Sequence, residues 1–246
     1  MTKRILLAAL LPLLLLAVQA HAQSVTLDLG GESGGSATGH IVQLLVLLTV
    51  LSLAPAILIT VTSFTRIIVV LSFLRNALGT QQTPPNIVLV SLALFLTGFV
   101  MEPTLQASYQ NGIAPLIENK ISETDAFTRA TAPLHDFMMA HVRPQDLQLF
   151  VGMAKIDKIA DPKDTPLRAL VPAFMVSELR RAFEIGFLLF LPFLVIDLVV
   201  ASILMSMGMK MLPPVTISLP FKLIFFVLVD GWYLVAGSLV QSFGTG

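Results

Sequence analysis

Long apolar segments alternate with more polar stretches along the chain. After the first forty residues these segments cover 41–61, 86–101, 185–208 and 219–240. A helix needs about twenty apolar residues to cross a bilayer, so each segment is predicted to insert as a helix, although the second is short. Pro55 and Pro192 lie inside two of them and should kink their helices, because proline removes a backbone hydrogen bond.

The first 22 residues have the pattern of a signal peptide. Lys3 and Arg4 form a positive start, residues 5–18 are apolar, and Ala20-His21-Ala22 is a small-x-small cleavage site. The apolar run is short for a hydrocarbon core of roughly 30 Å. We therefore interpret residues 1–22 as a cleaved signal peptide, with an uncleaved first helix as the alternative. Residues 23–40 are rich in Gly and Ser and are predicted to be a flexible linker.

Charge is distributed unevenly between the connecting stretches. Residues 62–85 carry Arg66 and Arg75 without an acid, and the connection near Lys210 is also positive. A signal peptide would place the mature N-terminus outside the cytoplasm and both positive connections inside it, in agreement with the positive-inside rule. The pattern predicts a first apolar helical hairpin over 41–101 and a second, with a methionine-rich loop, over 185–246.

Residues 102–184 hold most of the charge, of both signs, and are predicted to form an extracytoplasmic domain. Ser122 to Asp125 match a capping box, and Thr165 followed by Pro166 matches a helix start. No run in this stretch alternates with the period of two that a strand requires. We therefore predict a helical domain, and an all-α membrane protein as a whole.

Composition narrows the function classes further. The chain has 246 residues, of which 55% are hydrophobic and 12% charged, about half the share of charge in soluble domains. A chain of this length cannot bury so much apolar surface by itself, so lipid or other apolar chains must cover it. A net charge of zero with no basic block argues against nucleic acid as a partner, and the absence of cysteine excludes disulfides and thiolate metal sites.

No enzyme signature is present in the sequence. The chain has no HExxH, Walker or GxSxG motif, and its four histidines do not form a plausible ligand set. We therefore predict neither an enzyme nor a cofactor or metal site.

Two acids interrupt the later apolar segments. Asp197 lies within LPFLVIDLVV and Asp230 within FFVLVDGWYLV. An ionised Asp at a helix centre disfavours insertion by about 2.5–3.5 kcal/mol, whereas each apolar neighbour favours it by about 0.3–0.6 kcal/mol. Both segments can therefore insert, with the acids facing a helix partner or a wet cavity. Two interpretations remain: polar contacts that hold helices together, which we favour because no further acids connect the two, and a proton or ion relay.

Residues 205–211 read Met-Ser-Met-Gly-Met-Lys-Met. Methionines at every second position do not mark one helix face, and Gly208 together with Pro213 and Pro214 weakens the helix here. Because Met side chains are flexible and polarisable, a ring of them would seal a hole and still deform around a passing chain. An ordinary apolar helix end at the bilayer surface is equally consistent with these residues.

Four further residues are candidates for assembly contacts. Lys222 either snorkels to the surface or pairs with an acid on a neighbouring subunit, for which Glu178 is one candidate. Phe137 and Phe150 are either core residues of the 102–184 domain, which we favour, or exposed aromatic residues that help assembly.

Three blocks of sequence resemble the FliP family of flagellar type III export proteins over nearly the whole mature chain. They begin at Ser63, Ala169 and Val215, and include PAFMVSELRRAFEIGF and LPFLVIDLVVASILMSMGM, strings too long and unusual for chance similarity. Injectisome relatives share the blocks, whereas the signal-peptide pattern and the longer N-terminal part favour the flagellar branch.

The resemblance implies a pore-forming core subunit of the export gate in the bacterial inner membrane, within the flagellar basal body. Members of the family form a homo-oligomer, taken here as pentameric, that builds a helical cone of kinked hairpins with FliQ and FliR. FlhA and FlhB lie nearby, FliO is a possible assembly partner, and unfolded flagellar subunits pass through.

The family's methionine gasket maps onto Met207, Met209 and Met211. Lys210 departs from the family pattern, in which a further Met is usual. Either it points away from the lumen or this gate is less purely hydrophobic. An ion-conducting subunit or secondary transporter that uses Asp197 and Asp230 is the alternative function.

Overall fold

The computed structural model describes residues 37–156, 164–209 and 213–244. The predicted signal peptide, most of the predicted linker, Lys210 and Met211 lie outside these ranges. The chain divides into two units, Met1–Val50 and Leu51–Gly246, and every contact given below lies within the second. Within the described ranges each regular element is a helix: α1 Ala37–Val61, α2 Phe64–Leu78, α3 Asn86–Ser108, a π-helical turn Tyr109–Ile113, α4 Ala114–Ile117, α5 Glu123–His141, α6 Pro144–Met153, α7 Leu167–Ser206, α8 Pro214–Leu228 and α9 Gly231–Gly244.

Three stretches are long and apolar enough to cross a membrane, namely Leu44–Val61, Asn86–Ile117 and Leu167–Ser206. Helices α8 and α9 meet at an angle of 63° and would add a fourth if the pair forms one span. Only 11% of the hydrophobic window of α7 is buried within the chain. By length and composition, up to four segments could therefore cross a membrane. Most of their apolar surface is not buried within the chain and is available to lipid or other subunits.

Helix α7 is far longer than a bilayer requires. Its 40 residues extend about 60 Å, twice a hydrocarbon core of roughly 30 Å. It begins inside the predicted 102–184 domain and continues without a break past residue 185, with Pro192 in its interior. The division into domains stays a prediction, and α7 extends across one of its proposed boundaries.

The predicted connection 62–85 is largely a buried helix. In α2, Ile67, Val70, Leu71 and Leu74 are each at most 1% exposed, and they pack in one core with residues of α3, α7 and α9. These side chains recur at intervals of three and four residues, the pattern of an amphipathic helix. Arg66 and Arg75 had favoured the interpretation of this stretch as a connection between membrane segments, so its amphipathic helix was not predicted.

The two helix starts predicted at Ser122 and at Thr165 are present in the structure, with small differences in detail. Ser122 Oγ accepts a hydrogen bond from the backbone N–H of Asp125 at 3.2 Å, as predicted. The Asp125 carboxylate, however, accepts from Ser122 Oγ at 2.9 Å and does not reach back to the backbone. Helix α7 begins at Leu167, just after the predicted start at Thr165 and Pro166, a shift typical of helix termini.

The predicted apolar segment 219–240 is broken into two helices that meet at a bend. Helix α8 ends at Leu228, and Asp230 adopts a left-handed conformation with φ 51° before α9 begins. Gly231 allows the close approach at this corner, because a Cβ there would lie 2.1 Å from the ring of Phe226. The apolar pattern continues through the corner, so hydropathy alone does not show the break.

Gly112 in the π-helical turn lies directly against α5. A Cβ there would be 2.6 Å from the Cβ of Ala130 and 2.7 Å from the carbonyl oxygen of Ala126. We expect Gly112→Ala to lower the free energy of unfolding by about 1–3 kcal/mol, because the backbone of α5 must shift. Denaturant unfolding in detergent micelles measures this. Gly152→Ala is the control, since nothing lies within 4 Å of its Cβ position, and equal stability of the two variants would contradict the packing argument.

Candidate functional site: two buried ion pairs and a methionine-rich helix end

Arg66 of α2 and Glu178 of α7 form a fully buried ion pair. Their side chains are 1% and 0% exposed. Arg66 Nε donates to Glu178 Oε2 at 2.8 Å and Nη2 donates to Oε1 at 2.5 Å, which is the two-pronged geometry that guanidinium and carboxylate favour. The pair joins residues 112 positions apart in the sequence.

The remaining surface of the Arg66 guanidinium contacts the end of α9. Nη1 donates to the Ser242 hydroxyl at 2.9 Å and to its carbonyl oxygen at 3.2 Å. The guanidinium carbon lies 3.6 Å above the ring of Phe243, a cation–π contact. Burial lowers the pKa of Arg66, while the hydrogen bond and charge of Glu178 oppose that shift. Arg66 therefore ties α2, α7 and α9 together at one point as a charged group.

Lys222 of α8 and Asp197 of α7 form the second pair. Lys222 Nζ donates to Asp197 Oδ2 at 2.7 Å, and Ser218 Oγ donates to Oδ1 at 2.5 Å. The Lys222 side chain is 3% exposed and the Asp197 side chain 22%. The structure thus buries Lys222 beside Asp197 of its own chain, whereas the sequence had suggested snorkelling or a contact with Glu178, which Arg66 occupies.

The second pair also fixes the end of α2. Lys222 Nζ donates to the carbonyl oxygen of Ala77 at 3.1 Å, in the last turn of that helix. A cation there complements the negative end of the helix dipole. Helix α2 is consequently held near its start through Arg66 and near its end through Lys222, and α7 supplies the acid in both cases.

The end of α7 presents methionines. Met207 N donates to Ile203 O, Gly208 N to Met205 O and Met209 N to Leu204 O, which is the Schellman arrangement that ends a helix. Gly208 has φ 76°, the left-handed conformation this motif requires. The side chains of Met205, Met207 and Met209 are 61%, 61% and 41% exposed. The helix therefore ends in a defined cap, with methionines outside the packed body.

Comparison with known proteins places these features in a family. The FliP family model matches residues 47–239. The chain belongs to the FliP family. It is 61% identical over 228 residues to the flagellar biosynthetic protein FliP of Caulobacter vibrioides, covering 92% of this chain and 85% of that protein. It is 59% identical over 202 residues to the protein of the same name from Bacillus subtilis, covering 82% and 91%. The chain is therefore a helical membrane component of flagellar biosynthesis.

The other predicted site residues of this FliP-family chain lie apart from the ion pairs. Asp230 is exposed in the turn between α8 and α9, and its side chain makes no hydrogen bond or ion pair within the described residues. Phe137 is partly buried, with its ring centroid 5.9 Å from Phe174 and 6.1 Å from Phe243. Phe150 is also partly buried, in α6. Among the described residues, no group of three His, Asp or Glu side chains could hold a metal ion.

From the sequence, Arg66 indicated only that the connection 62–85 lies on the cytoplasmic side of the membrane. Its part in the site was still detectable, because it lies one position before Ile67 and four before Val70 on the apolar face of α2. An arginine on such a face needs a buried acid, and Glu178 is one of two acids, with Glu184, just before the third apolar segment. Ser218 and Ser242 had no signal, since serine is common at helix surfaces.

Proposed function

We propose that this chain is a pore-forming core subunit of the flagellar type III export gate, through which unfolded flagellar subunits cross the inner membrane. Membership of the FliP family supports the export role. The observation that carries the pore assignment is the exposed methionine end of α7, where a glycine cap projects Met207 and Met209 beyond the packed helices. Side chains of this kind fit closely together yet yield to a passing polypeptide.

The apolar surface of the chain favours assembly with other subunits. Helix α7 exposes Phe183 at 58%, and α8 exposes Val227 and Leu228 at 75% and 79%. Because α7 is about twice as long as the hydrocarbon core is thick, lipid covers only part of it. A pentameric homo-oligomer with FliQ and FliR, near FlhA and FlhB and assembled with FliO, would cover the rest. Residues 1–22 would be removed as a signal peptide on insertion into the inner membrane.

The seal is tested by ion conductance through the purified, reconstituted gate. The test variants lack 207–211 or carry alanine at Met207, Met209 and Met211 with Gly208 and the prolines retained. We expect both to leak ions while the assembly stays intact, because the pore loses the side chains that fill it. Met153→Ala is the control, since Met153 is 70% exposed but lies on α6. An unchanged closed barrier in the loop variants would exclude the gasket and leave an ordinary helix connection.

The alternative is an ion-conducting subunit or secondary transporter that uses Asp197 and Asp230. Both Asp197 oxygens accept hydrogen bonds from donors of the same chain, which favours a holding contact over a relay. Neutralising both acids separates the two functions. Loss of assembly supports the export gate, whereas an intact assembly without proton flux supports the transporter.

A further inference from the structure

A basic cavity of about 350 Å³ lies beside the Arg66–Glu178 pair. It is lined by Arg66, Arg143, Arg181, Glu184, Ile185 and Ser242. Three arginines thus line one space, contributed by α2, by the residue preceding α6 and by α7. Neither the ion pair nor the methionine end described above accounts for this concentration of positive charge.

Among the described residues, the acids near the cavity leave a hydrogen-bond donor of Arg143 without an acceptor and the charge of Arg181 without a partner. Glu178 neutralises Arg66, and Glu184 accepts a hydrogen bond from Arg180 at 3.0 Å. Arg143 forms an ion pair with Asp146, whose Oδ2 lies 3.7 Å from Nη1, but this buried Nη1 makes no hydrogen bond within the part of the chain that the structure describes.

Arg181 makes no hydrogen bond or ion pair with the described residues, and its charge contributes to lowering the pKa of Arg66. Leaving the buried Arg143 Nη1 donor without an acceptor is unfavourable, so an external anion that accepts from it would be bound here.

The position along α7 indicates where the anion comes from. Residues 185–206 contain one ionisable side chain, Asp197, and as a helix they extend about 33 Å, close to the thickness of a hydrocarbon core. The cavity lies at the start of this run, which is where lipid headgroups would be if residues 185–206 cross the bilayer. Directly beyond it, Phe187 and Leu188 are 65% and 64% exposed and offer an apolar surface to acyl chains.

We propose that this cavity binds the phosphate group of an anionic phospholipid, held by Arg143 and Arg181. Guanidinium groups suit phosphate because each offers several N–H donors in a plane, and basic pockets between membrane helices are recognised lipid-headgroup sites. A carboxylate from a neighbouring copy is a weaker fit, because it would leave the adjoining apolar surface without acyl chains.

Native mass spectrometry of the full-length chain tests this site, after exchange into micelles with equimolar phosphatidylglycerol and phosphatidylcholine. We expect the chain to retain phosphatidylglycerol preferentially. Arg181→Gln should reduce that preference about tenfold, the effect of losing one charge-assisted hydrogen bond. Arg143→Gln provides a second test should Arg181→Gln fail to fold, which circular dichroism reports. Arg168→Gln is the matched control, because it removes an exposed arginine of the same helix that lies outside the cavity.

Several outcomes would overturn the lipid assignment. An Arg181→Gln variant that keeps the wild-type lipid preference excludes the site. Displacement of the lipid by excess inorganic phosphate would assign the cavity to a soluble anion. Loss of the oligomer with an unchanged lipid ratio would assign it to an acid of a neighbouring copy. None of these results bears on the pore, which the conductance measurement tests separately.

Discussion

Replacing Glu178 with glutamine is expected to lower the free energy of unfolding by about 3–5 kcal/mol. The substitution keeps the shape of the side chain and removes only its charge, so the Arg66 guanidinium is left buried without a counter-ion. Helices α2, α7 and α9 meet at this group, and the loss should loosen all three. Denaturant unfolding in micelles, followed by the fluorescence of Trp232, the one tryptophan of the chain, measures the change.

Two variants make this result specific to the buried pair. Glu184→Gln removes an acid six residues further along α7, where the pair with Arg180 is about 60% exposed, and should change stability by less than about 1 kcal/mol. Combining Arg66→Met with Glu178→Leu should recover most of the loss, because an apolar pair replaces the ionic one without leaving a charge. A single Glu178→Gln variant as stable as Glu184→Gln would show that Arg66 is not dependent on this carboxylate.

Replacing Asp197 with asparagine is expected to cost about 3 kcal/mol, the lower end of the range for a buried pair. The Lys222 ammonium, only 3% exposed, then loses its counter-ion but keeps the Ala77 carbonyl oxygen as an acceptor. The effect is smaller than at Glu178 because Asp197 retains 22% of its side-chain exposure. The same unfolding measurement applies, and export of flagellar subunits should fall in parallel.

Asp230→Asn is the matched comparison, since both acids lie in apolar sequence and both changes keep the side-chain shape. Asp230 is exposed in a turn at φ 51°, a conformation that asparagine adopts readily. Stability should change by no more than about 0.5 kcal/mol. Equal losses at Asp197 and Asp230 would contradict the different roles assigned to them. An unchanged stability at both positions, together with lost proton flux, would favour the relay.

The two ion pairs also bear on how the proposed seal works. Asp197 lies nine residues, about two and a half turns, before the end of α7, and its pair holds α8 against that helix. The exposed methionines at the end of α7 follow this contact by about ten residues. In the proposed gate, the buried pairs would keep the surrounding helices rigid, and the exposed methionines would deform around a passing chain.

The helical class, the apolar segments and the family can all be recognised from the sequence alone. Helix period, capping at Ser122, the helix end at Gly208 and the length of each apolar run depend on neighbours within a few residues, so they can be recognised locally. The strings from Ala169 and Val215 are distinctive enough to identify the FliP family before any contact is known. Hydropathy, by contrast, could not locate the turn at Asp230, because apolar residues continue on both sides of it.

The pairing of charged residues, by contrast, follows from the packing of whole helices. Glu178 was a possible partner of Lys222 by sequence, but α2 brings Arg66 to it from 112 positions away and leaves Lys222 to Asp197. Several pairings satisfy the same list of charged residues, and packing of the apolar faces of α2 and α7 selects one of them. The basic cavity arises in the same way, because Arg143 and Arg181 share one space only once α6 and α7 are packed. Such contacts depend on the relative placement of whole helices, which no local pattern encodes.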